Sequence, residues 1–459
     1  MSVRTLSRWV DRLLRGSVTI ECPHMEIFGL DHESPVFAGP GQIKIGADTK
    51  ISFFMHGTPR DGSDAFRRIV QAQKNPYEIL HRFRVNAISY DGTEWSGGWT
   101  ELRVGEAREN IWQLFGPIHR LQTGAKGLGV SDKSSVELVY DRILRLPIPM
   151  NMVKTVYRDD KEVLRSRSSG TKTVEVIDTT IDFHCSADRE HIWAVADTSP
   201  TFPHPYLENW ISEPLNLLLG EVVSPRLSAR NFGNGEASIV LFSSSGPPTH
   251  SLTANILRED PLGAGERFWN LYRDILTVVA MAKDASGNRN FEAHPLTKYY
   301  WEIIQASNGT NWVLCMTLAS VVEGIAKMMF SDAERKSDWP EADIDSLKQV
   351  VTDWKGNDNL RSVVINYVSG FKTKGVAKTL TPLVNDGTIT SEQISAWRRI
   401  RNTAMHGGMV LPWSDEEQDR RIFSLIELTH RLCEAYVKRE LTNEQSAERK
   451  TRGSVDFPK

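Results

Sequence analysis

The sequence predicts an α+β chain of more than one domain, with a β-rich N-terminal half followed by an all-α helical bundle. Its 459 residues suggest two to three domains. The period of the apolar residues changes near residue 260, from alternation to helical spacing. Just before that change stands Ser243-Ser244-Ser245-Gly246-Pro247-Pro248, a breaker-rich boundary. The expected division is 1–250 for the β-rich region, with room for two subdomains, then 251–442 for the helical domain. Residues 443–459 read as a polar, disordered tail.

The chain opens on an amphipathic stretch from Arg4 to Arg15. Leu6, Trp9, Val10, Leu13 and Leu14 share one face, and arginines flank it. A transit peptide or a membrane-surface helix fits that pattern. Asp11 interrupts the charge, however, and a strand follows directly, which favours a helix docked on its own domain or on a partner. Val18–Ile20 and Met25–Phe28 are short β-type runs, and Ile43 and Ile45 alternate with polar neighbours. Asp91-Gly92 and Ser96-Gly97-Gly98 mark turns, the second as a hairpin turn packing Trp95 and Trp99. Gly124-Ala125-Lys126-Gly127-Leu128-Gly129 lacks the Gly-Lys-Ser/Thr ending of a phosphate loop and reads as a flexible loop. Val174, Val176, Ile181 and Phe183 alternate again, and Ser238–Phe242 is a further apolar strand. Pro205–Gly220 is the one clear helical pattern of this half, and Pro214 should kink or split it.

Helices dominate beyond residue 260. They are expected over Phe268–Val279, Trp312–Phe330, Asp343–Trp354 and Leu360–Val368. Thr390 stands three residues before Gln393, a capping-box start, and Ile394, Trp397, Ile400 and Ala404 follow at helical spacing. Gly407-Gly408 supplies a stop. Ser414 and Glu417 form a second capping box, opening a helix that carries Ile422, Leu425, Leu428, Leu432 and Tyr436.

Composition narrows the function classes. With 55 Lys and Arg against 58 Asp and Glu, the whole chain is no basic nucleic-acid binder, so any RNA contact must be a local patch. Arg398, Arg399, Arg401, Arg420, Arg421, Lys372, Lys374 and Lys378 cluster near one stretch. The cysteines Cys22, Cys185, Cys315 and Cys433 are dispersed, which argues against a disulfide framework and fits a reducing cytoplasm. His184, Cys185 and His191 lack a fourth metal ligand at sensible spacing. No apolar run is expected to reach membrane-spanning length. The 13 tryptophans scatter over both halves, as core residues do, rather than marking a glycan cleft.

The chemistry-bearing motif is Arg401-Asn402-Thr403-Ala404-Met405-His406, at the end of the Thr390-capped helix. Arg, a polar residue and His can stabilise a phosphate and move a proton without a metal. Arg289-Asn290-Phe291-Glu292-Ala293-His294 has the same spacing. It follows a loop composition, and Pro295 forces His294 out of the helical region, so this copy reads as coincidence. In a helix Asn402 and His406 share a face, while Arg401 lies roughly 140° round the axis from His406. Glu323 stands in the most apolar helix. Either it lies on the wet edge, or an Arg or His from a neighbouring helix satisfies it.

Through Glu323, Arg401, Asn402 and His406 the helical half resembles the HEPN-domain endoribonucleases. With the β-rich region before it, the chain resembles most nearly the ApeA-like anti-phage, abortive-infection type. The resemblance implies a cytoplasmic, metal-independent, cofactor-free ribonuclease acting on RNA, tRNA among the candidates, and leaving a 2′,3′-cyclic phosphate. It implies a homodimer through the C-terminal helices, with no membrane partner and a phage-derived or cellular trigger sensed by the N-terminal half. Arg401 would hold the phosphate, with Arg398 and Arg399 as substrate contacts. Asn402 would orient His406, His406 would move protons, and Glu323 would hold Arg401. Two other readings stand beside this one: a non-catalytic helical module for dimerisation or ligand binding, and a glycan-binding protein.

Overall fold

The structure is a computed structural model of the chain. It describes all residues except 1–3, 15, 30–33, 47–49, 61, 76–77, 79–81, 109, 141–143, 150–151, 159–160, 169, 187–189, 244–251, 406–414 and 454–459. For residues 8, 125, 152–168, 252, 405 and 444–453 only the backbone path is described. Two compact units divide the chain. One comprises Met1–Glu213, Val223–Pro248 and Pro261–Trp269; the other comprises Pro214–Val222, Thr249–Asp260 and Asn270–Lys459. Most of the expected boundary segment, 244–248, lies outside the described residues.

The first unit is β-rich, as expected. Its elements are α1 (Ser7–Leu14), β1 (Val18–Gly29), β2 (Phe37–Ile45), β3 (Ile51–Pro59), α2 (Gly62–Lys74), β4 (Phe83–Ile88), β5 (Glu94–Thr100), β6 (Arg103–Arg108), β7 (Ile111–Ile118) and β8 (Arg120–Lys126). Then come β9 (Ser134–Tyr140), β10 (Met152–Arg158), β11 (Lys161–Ser168), β12 (Thr171–Val176), β13 (Thr179–Cys185), β14 (Ile192–Asp197) and α3 (Leu207–Trp210). After α4 (Glu213–Leu219), most of which belongs to the second unit, β15 (Leu227–Phe232) and β16 (Glu236–Phe242) complete the sheet. Fourteen strands form one antiparallel sheet in the order β12-β13-β14-β9-β15-β16-β8-β5-β4-β1-β2-β3-β7-β6, and β10 pairs with β11 alone. Only His119 separates β7 from β8, so one run of chain passes from pairing with β3 to pairing with β16.

Local chemistry explains several elements. The two β-type runs around residues 18–28 are one strand, broken by a register shift between Cys22 and Met25 where Pro23 sits. In β12 and β13 the alternating Val174, Val176, Ile181 and Phe183 are all buried. Gly92 takes φ +80 in the Asp91-Gly92 turn joining β4 to β5, a conformation that suits glycine. The 205–220 helix is split at the expected place into α3 and α4.

Two loop expectations need correction. Residues 95–99 lie within β5 and form no turn. Trp95 is buried, while Trp99 is half-exposed beneath the Arg84 guanidinium. Gly124, Ala125 and Lys126 belong to β8, paired with Ser238, Ala237 and Glu236 of β16, and only Gly127 turns, at φ +76. In both places cross-strand pairing decides what glycine content alone does not.

The amphipathic start docks on its own unit. Leu6, Trp9, Val10 and Leu13 are buried in the same core as Ile27, Phe53 and Leu121. Buried Glu137 of β9 accepts the backbone N–H groups of Thr5 and Leu6, each at 3.1 Å, so a carboxylate satisfies the helix entry. Each of the apolar side chains contributes roughly 1.5–3 kcal/mol by burial, so the docked face is held far more by apolar contact than by charge. Nearby, the Arg4 guanidinium meets Nε2 of His184, and the four cysteines are free.

The second unit is helical. It contains most of α4 and most of α6 (Glu266–Met281), while α5 (Pro261–Ala264) belongs to the first unit. Then follow α7 (Pro295–Ser307), α8 (Asn311–Met329), α9 (Glu341–Asp353), α10 (Asp358–Ser369), α11 (Val376–Thr379), α12 (Thr381–Asn385), α13 (Ser391–Met405) and α14 (Glu416–Gly453). α8 is the hub, packing on α7, α13 and α14. Its 19 residues are long and apolar enough, by length and composition, to cross a membrane, contrary to the sequence expectation. Half of that span is buried within the protein, chiefly by α7, α13 and α14. The last helix continues to Gly453, through most of the segment expected to be a disordered tail.

Candidate active site on two packed helices

The first capping box forms as expected. Gln393 Oε1 accepts the Thr390 N–H at 2.8 Å, and Thr390 Oγ1 accepts the Gln393 N–H at 3.2 Å. The helix it opens buries Ile394, Trp397, Ile400 and Ala404, the expected stripe. Ser414 lies outside the described residues; at the start of α14 it is Asp415 that caps, accepting the Gln418 N–H at 3.1 Å.

The stripe places the motif. Trp397 Nε1 donates to the Ala319 carbonyl of α8 at 3.2 Å. One turn further along both helices, Arg401 Nε donates to Glu323 Oε1 in a close ion pair. Contacts at 319–397 and 323–401 make α8 and α13 run in the same direction here. Both possibilities for Glu323 hold in part: its side chain keeps 27 % of its surface exposed, and an arginine of a neighbouring helix partners it. The Arg401 side chain keeps 38 % of its surface exposed, and its guanidinium carbon lies 6.0 Å from the Trp397 ring centroid. A cation held on one edge by a carboxylate and open on another can take a phosphate.

Arg398, Arg399 and Asn402 are exposed on α13. Asn402 lies four residues after Arg398 and three after Arg399, so the three share a stripe beside Arg401. His406, Gly407 and Gly408 lie outside the described residues; α13 is described as far as Met405. The wider basic cluster is mostly neutralised. Lys374 and Lys378 share Asp338 at 3.0 and 2.5 Å, Lys372 meets Asp345 at 3.1 Å, and Arg420 and Arg421 pair with Glu416 and Glu417. Among the described residues Arg398 and Arg399 have no carboxylate partner, so they are the cations of the cluster left open to a substrate.

The second copy of the motif spacing has structural duties. His294 caps α7 with extended backbone, φ −63 and ψ 137, and its Nδ1 accepts the Leu296 N–H at 3.1 Å. That fixes the ring hydrogen on Nε2, which faces the Tyr436 hydroxyl at 3.4 Å. Burial pushes its pKa down to about 4. Arg289 turns away, donating to the Ala280 carbonyl at 2.9 Å.

Sequence reasoning missed a close approach at Gly324, the residue after Glu323. Gly324 has no side chain where the Tyr299 ring of α7 lies; a Cβ there would collide with the hydroxyl and ring. An interior helix glycine costs about 1 kcal/mol relative to alanine, and that cost was the readable signal of a close approach. Among the described residues no group of three His, Cys, Asp or Glu side chains comes together as a metal site. No protein-family model matches the chain, and neither a curated protein nor a solved structure matches it.

Proposed function

We propose that the chain is a metal-independent endoribonuclease of the HEPN type, serving as an anti-phage abortive-infection effector in the cytoplasm. The observation that carries this reading is the Arg401–Glu323 pair, formed between two helices whose sequence resemblance implied it. An ion pair this exposed is worth roughly 0–1 kcal/mol to stability, so fold stability alone gives a weak reason for a carboxylate in an apolar helix. Orientation of a phosphate-binding guanidinium gives a better one.

In this mechanism Arg401 binds the scissile phosphate and stabilises the charge that builds on it. A 2′-OH attacks the phosphorus as a base takes its proton, and the 5′-oxygen leaves with a proton from an acid, giving a 2′,3′-cyclic phosphate. A histidine titrates near neutral pH and can serve either role, and His406 would do so here. One chain brings a single motif His, so a homodimer through the C-terminal helices would supply both. Arg398 and Arg399, exposed on the same helix, would contact flanking phosphates, and Asn402 would orient His406 or the phosphate. The N-terminal unit would sense the phage-derived or cellular trigger.

Incubation of the purified protein and its His406→Ala variant with total tRNA in excess EDTA tests the reading. Cleavage by the wild type alone, with cyclic phosphate ends, is expected. Strict dependence on magnesium or manganese, or equal cleavage by the variant, would overturn it. RNA left intact would favour the non-catalytic helical module.

A further inference from the structure

Neighbouring strands of the first unit share a polar cavity. Glu26 of β1 pairs with Asn86 of β4, Asn86 with Ser96 of β5, and Ser96 with Gln122 of β8, so one polar row crosses the sheet. The row lines a cavity of about 460 Å³, and Ile88 and Glu94 line it one row further along the strands. The Ser96 hydroxyl donates to Asn86 Oδ1 at 3.1 Å, and Gln122 Nε2 donates to Ser238 Oγ at 2.9 Å. Those bonds leave the Asn86 amide hydrogens, Gln122 Oε1 and the Glu94 carboxylate for a ligand. Among the described residues no Lys or Arg lines the cavity.

The cations stand one row away in the other direction. Arg84 lies two residues before Asn86 on β4, and Arg120 two before Gln122 on β8, so alternation puts them on the same face. A register shift in β5 returns Trp99 to this face, opposite Arg84. The Arg84 guanidinium carbon lies 5.6 Å from the Trp99 ring centroid, and that of Arg120 lies 5.8 Å from the Phe242 ring. Among the described residues neither arginine meets a carboxylate, and Arg120 Nε is buried without a hydrogen-bond partner.

We propose that this face binds a nucleoside monophosphate, with base and ribose in the cavity and the phosphate on Arg84 and Arg120. From Ile88 to Arg84 the strand covers about 14 Å, which side chains reaching inward shorten to the span from a base edge to a 5′-phosphate. The cavity has the volume of a small-molecule site. Its free groups are a donor and several acceptors, and a base with ring nitrogens and an amino group answers both. The Glu94 end repels a phosphate, and the arginine end attracts one, so charge alone orients the ligand. A bare sugar would leave the arginines unused, and a bare phosphate would leave the cavity unused. The site lies wholly in the first unit and does not depend on the ribonuclease reading.

Calorimetric titration of the full-length protein with AMP, GMP, CMP and UMP, each beside its nucleoside and inorganic phosphate, is the test. At least one nucleotide should bind, roughly tenfold or more tighter than its nucleoside or phosphate alone. Arg84→Met combined with Arg120→Met should bring that nucleotide down to the affinity of its nucleoside and leave the nucleoside unchanged. Gln122→Leu should weaken both by about tenfold. Neither arginine is fully buried, so melting should stay near wild type. If the double variant does not fold, Arg84→Met alone replaces it, with the same direction expected. Arg401 also holds a phosphate in the proposed mechanism, so the titrations are repeated in Arg401→Ala, where this binding should persist. Loss of binding in Arg401→Ala, or binding that survives the Arg84 and Arg120 substitutions, overturns the proposal. So does a protein that binds none of the four nucleotides, or that binds a nucleoside as tightly as its nucleotide. Tighter binding of glucosamine 6-phosphate, which carries a phosphate and an amine without a base, would overturn it too.

Discussion

The Trp397 indole donates to the Ala319 carbonyl at 3.2 Å, one turn ahead of the point where Arg401 meets Glu323 on the same two helices. The first contact is buried and fixes how α13 lies on α8. The second is half-exposed and takes its alignment from the first. A buried indole thus sets the position of a guanidinium that is open to solvent, which is how a packed element presents a charged group with defined direction.

Arg401→Ala should lower RNA cleavage by about 10²–10³-fold or more, the usual cost of removing a transition-state charge partner. The same substitution should change stability by no more than about 1 kcal/mol, because the pair is partly exposed. Arg401→Lys should not rescue activity, since a lysine cannot offer both a Glu323 edge and a phosphate edge. Glu323→Gln should lose less activity than Glu323→Ala, because the amide oxygen still accepts from Nε. Cleavage assays beside thermal melts check all four; full activity in Arg401→Ala would end the site assignment.

His294→Ala should leave cleavage near wild type and cost stability instead. It removes an N-cap worth roughly 1 kcal/mol and leaves the buried Tyr436 hydroxyl without its ring partner. Urea unfolding should show a loss of about 1–3 kcal/mol. Loss of cleavage in a folded variant would mean that the wrong copy of the motif has been chosen.

What could be read from the sequence was mostly local. The Thr390–Gln393 capping box, the buried stripe behind Arg401 and the split at Pro214 depend on residues within a turn or two. The Arg-x-x-x-x-His spacing at 289–294 is separable from the one at 401–406 by the loop composition before it and by Pro295. Pairings across long sequence separations were not readable. The Gly97-Gly98 stretch looks like a turn until β4 and β8 take its edges, and Lys374 and Lys378 look like a nucleic-acid patch until Asp338 folds back between them. Glu323 is the intermediate case: a carboxylate in the most apolar helix points to a partner without naming one.

Acid should destabilise the protein starting near pH 6.5, above the range where carboxylates titrate. His430 is fully buried, with Nε2 donating to the Thr253 carbonyl at 2.9 Å and Nδ1 facing the Tyr300 hydroxyl at 2.8 Å. Burial, the main cause, pushes its pKa down to about 4, as it does for His294. A folded-state pKa below the unfolded value means that the unfolded chain binds more protons between those two values. The stabilisation is therefore complete above about pH 6.5 and lost as the pH falls towards 4, by on the order of 3 kcal/mol for each ring. His184 shifts the same way, through burial first and the Arg4 charge second. His294→Asn, which keeps a capping side chain without the titration, should flatten the pH dependence of denaturant midpoints between 6.5 and 4. An unchanged slope in that variant would count against a buried neutral His294.

Gly324 and Tyr299 should be energetically coupled. A methyl group at Gly324 would collide with the Tyr299 ring, so Gly324→Ala forces the ring to swing or α7 to shift. The same substitution gains about 1 kcal/mol of helix propensity. In the wild-type background the two effects oppose each other, and the melting temperature should stay level or fall. In a Tyr299→Ala background the collision is gone, and Gly324→Ala should stabilise by about the full propensity gain. The double-mutant cycle should therefore show a coupling of about 1 kcal/mol or more. Glu323 is the next residue on α8, so a shifted α7 should also disturb the Arg401 pair. Gly324→Ala alone should lower cleavage more than Tyr299→Phe, which keeps the ring in place. Additive melting temperatures across the four proteins would show that α7 does not lean on α8 at this glycine.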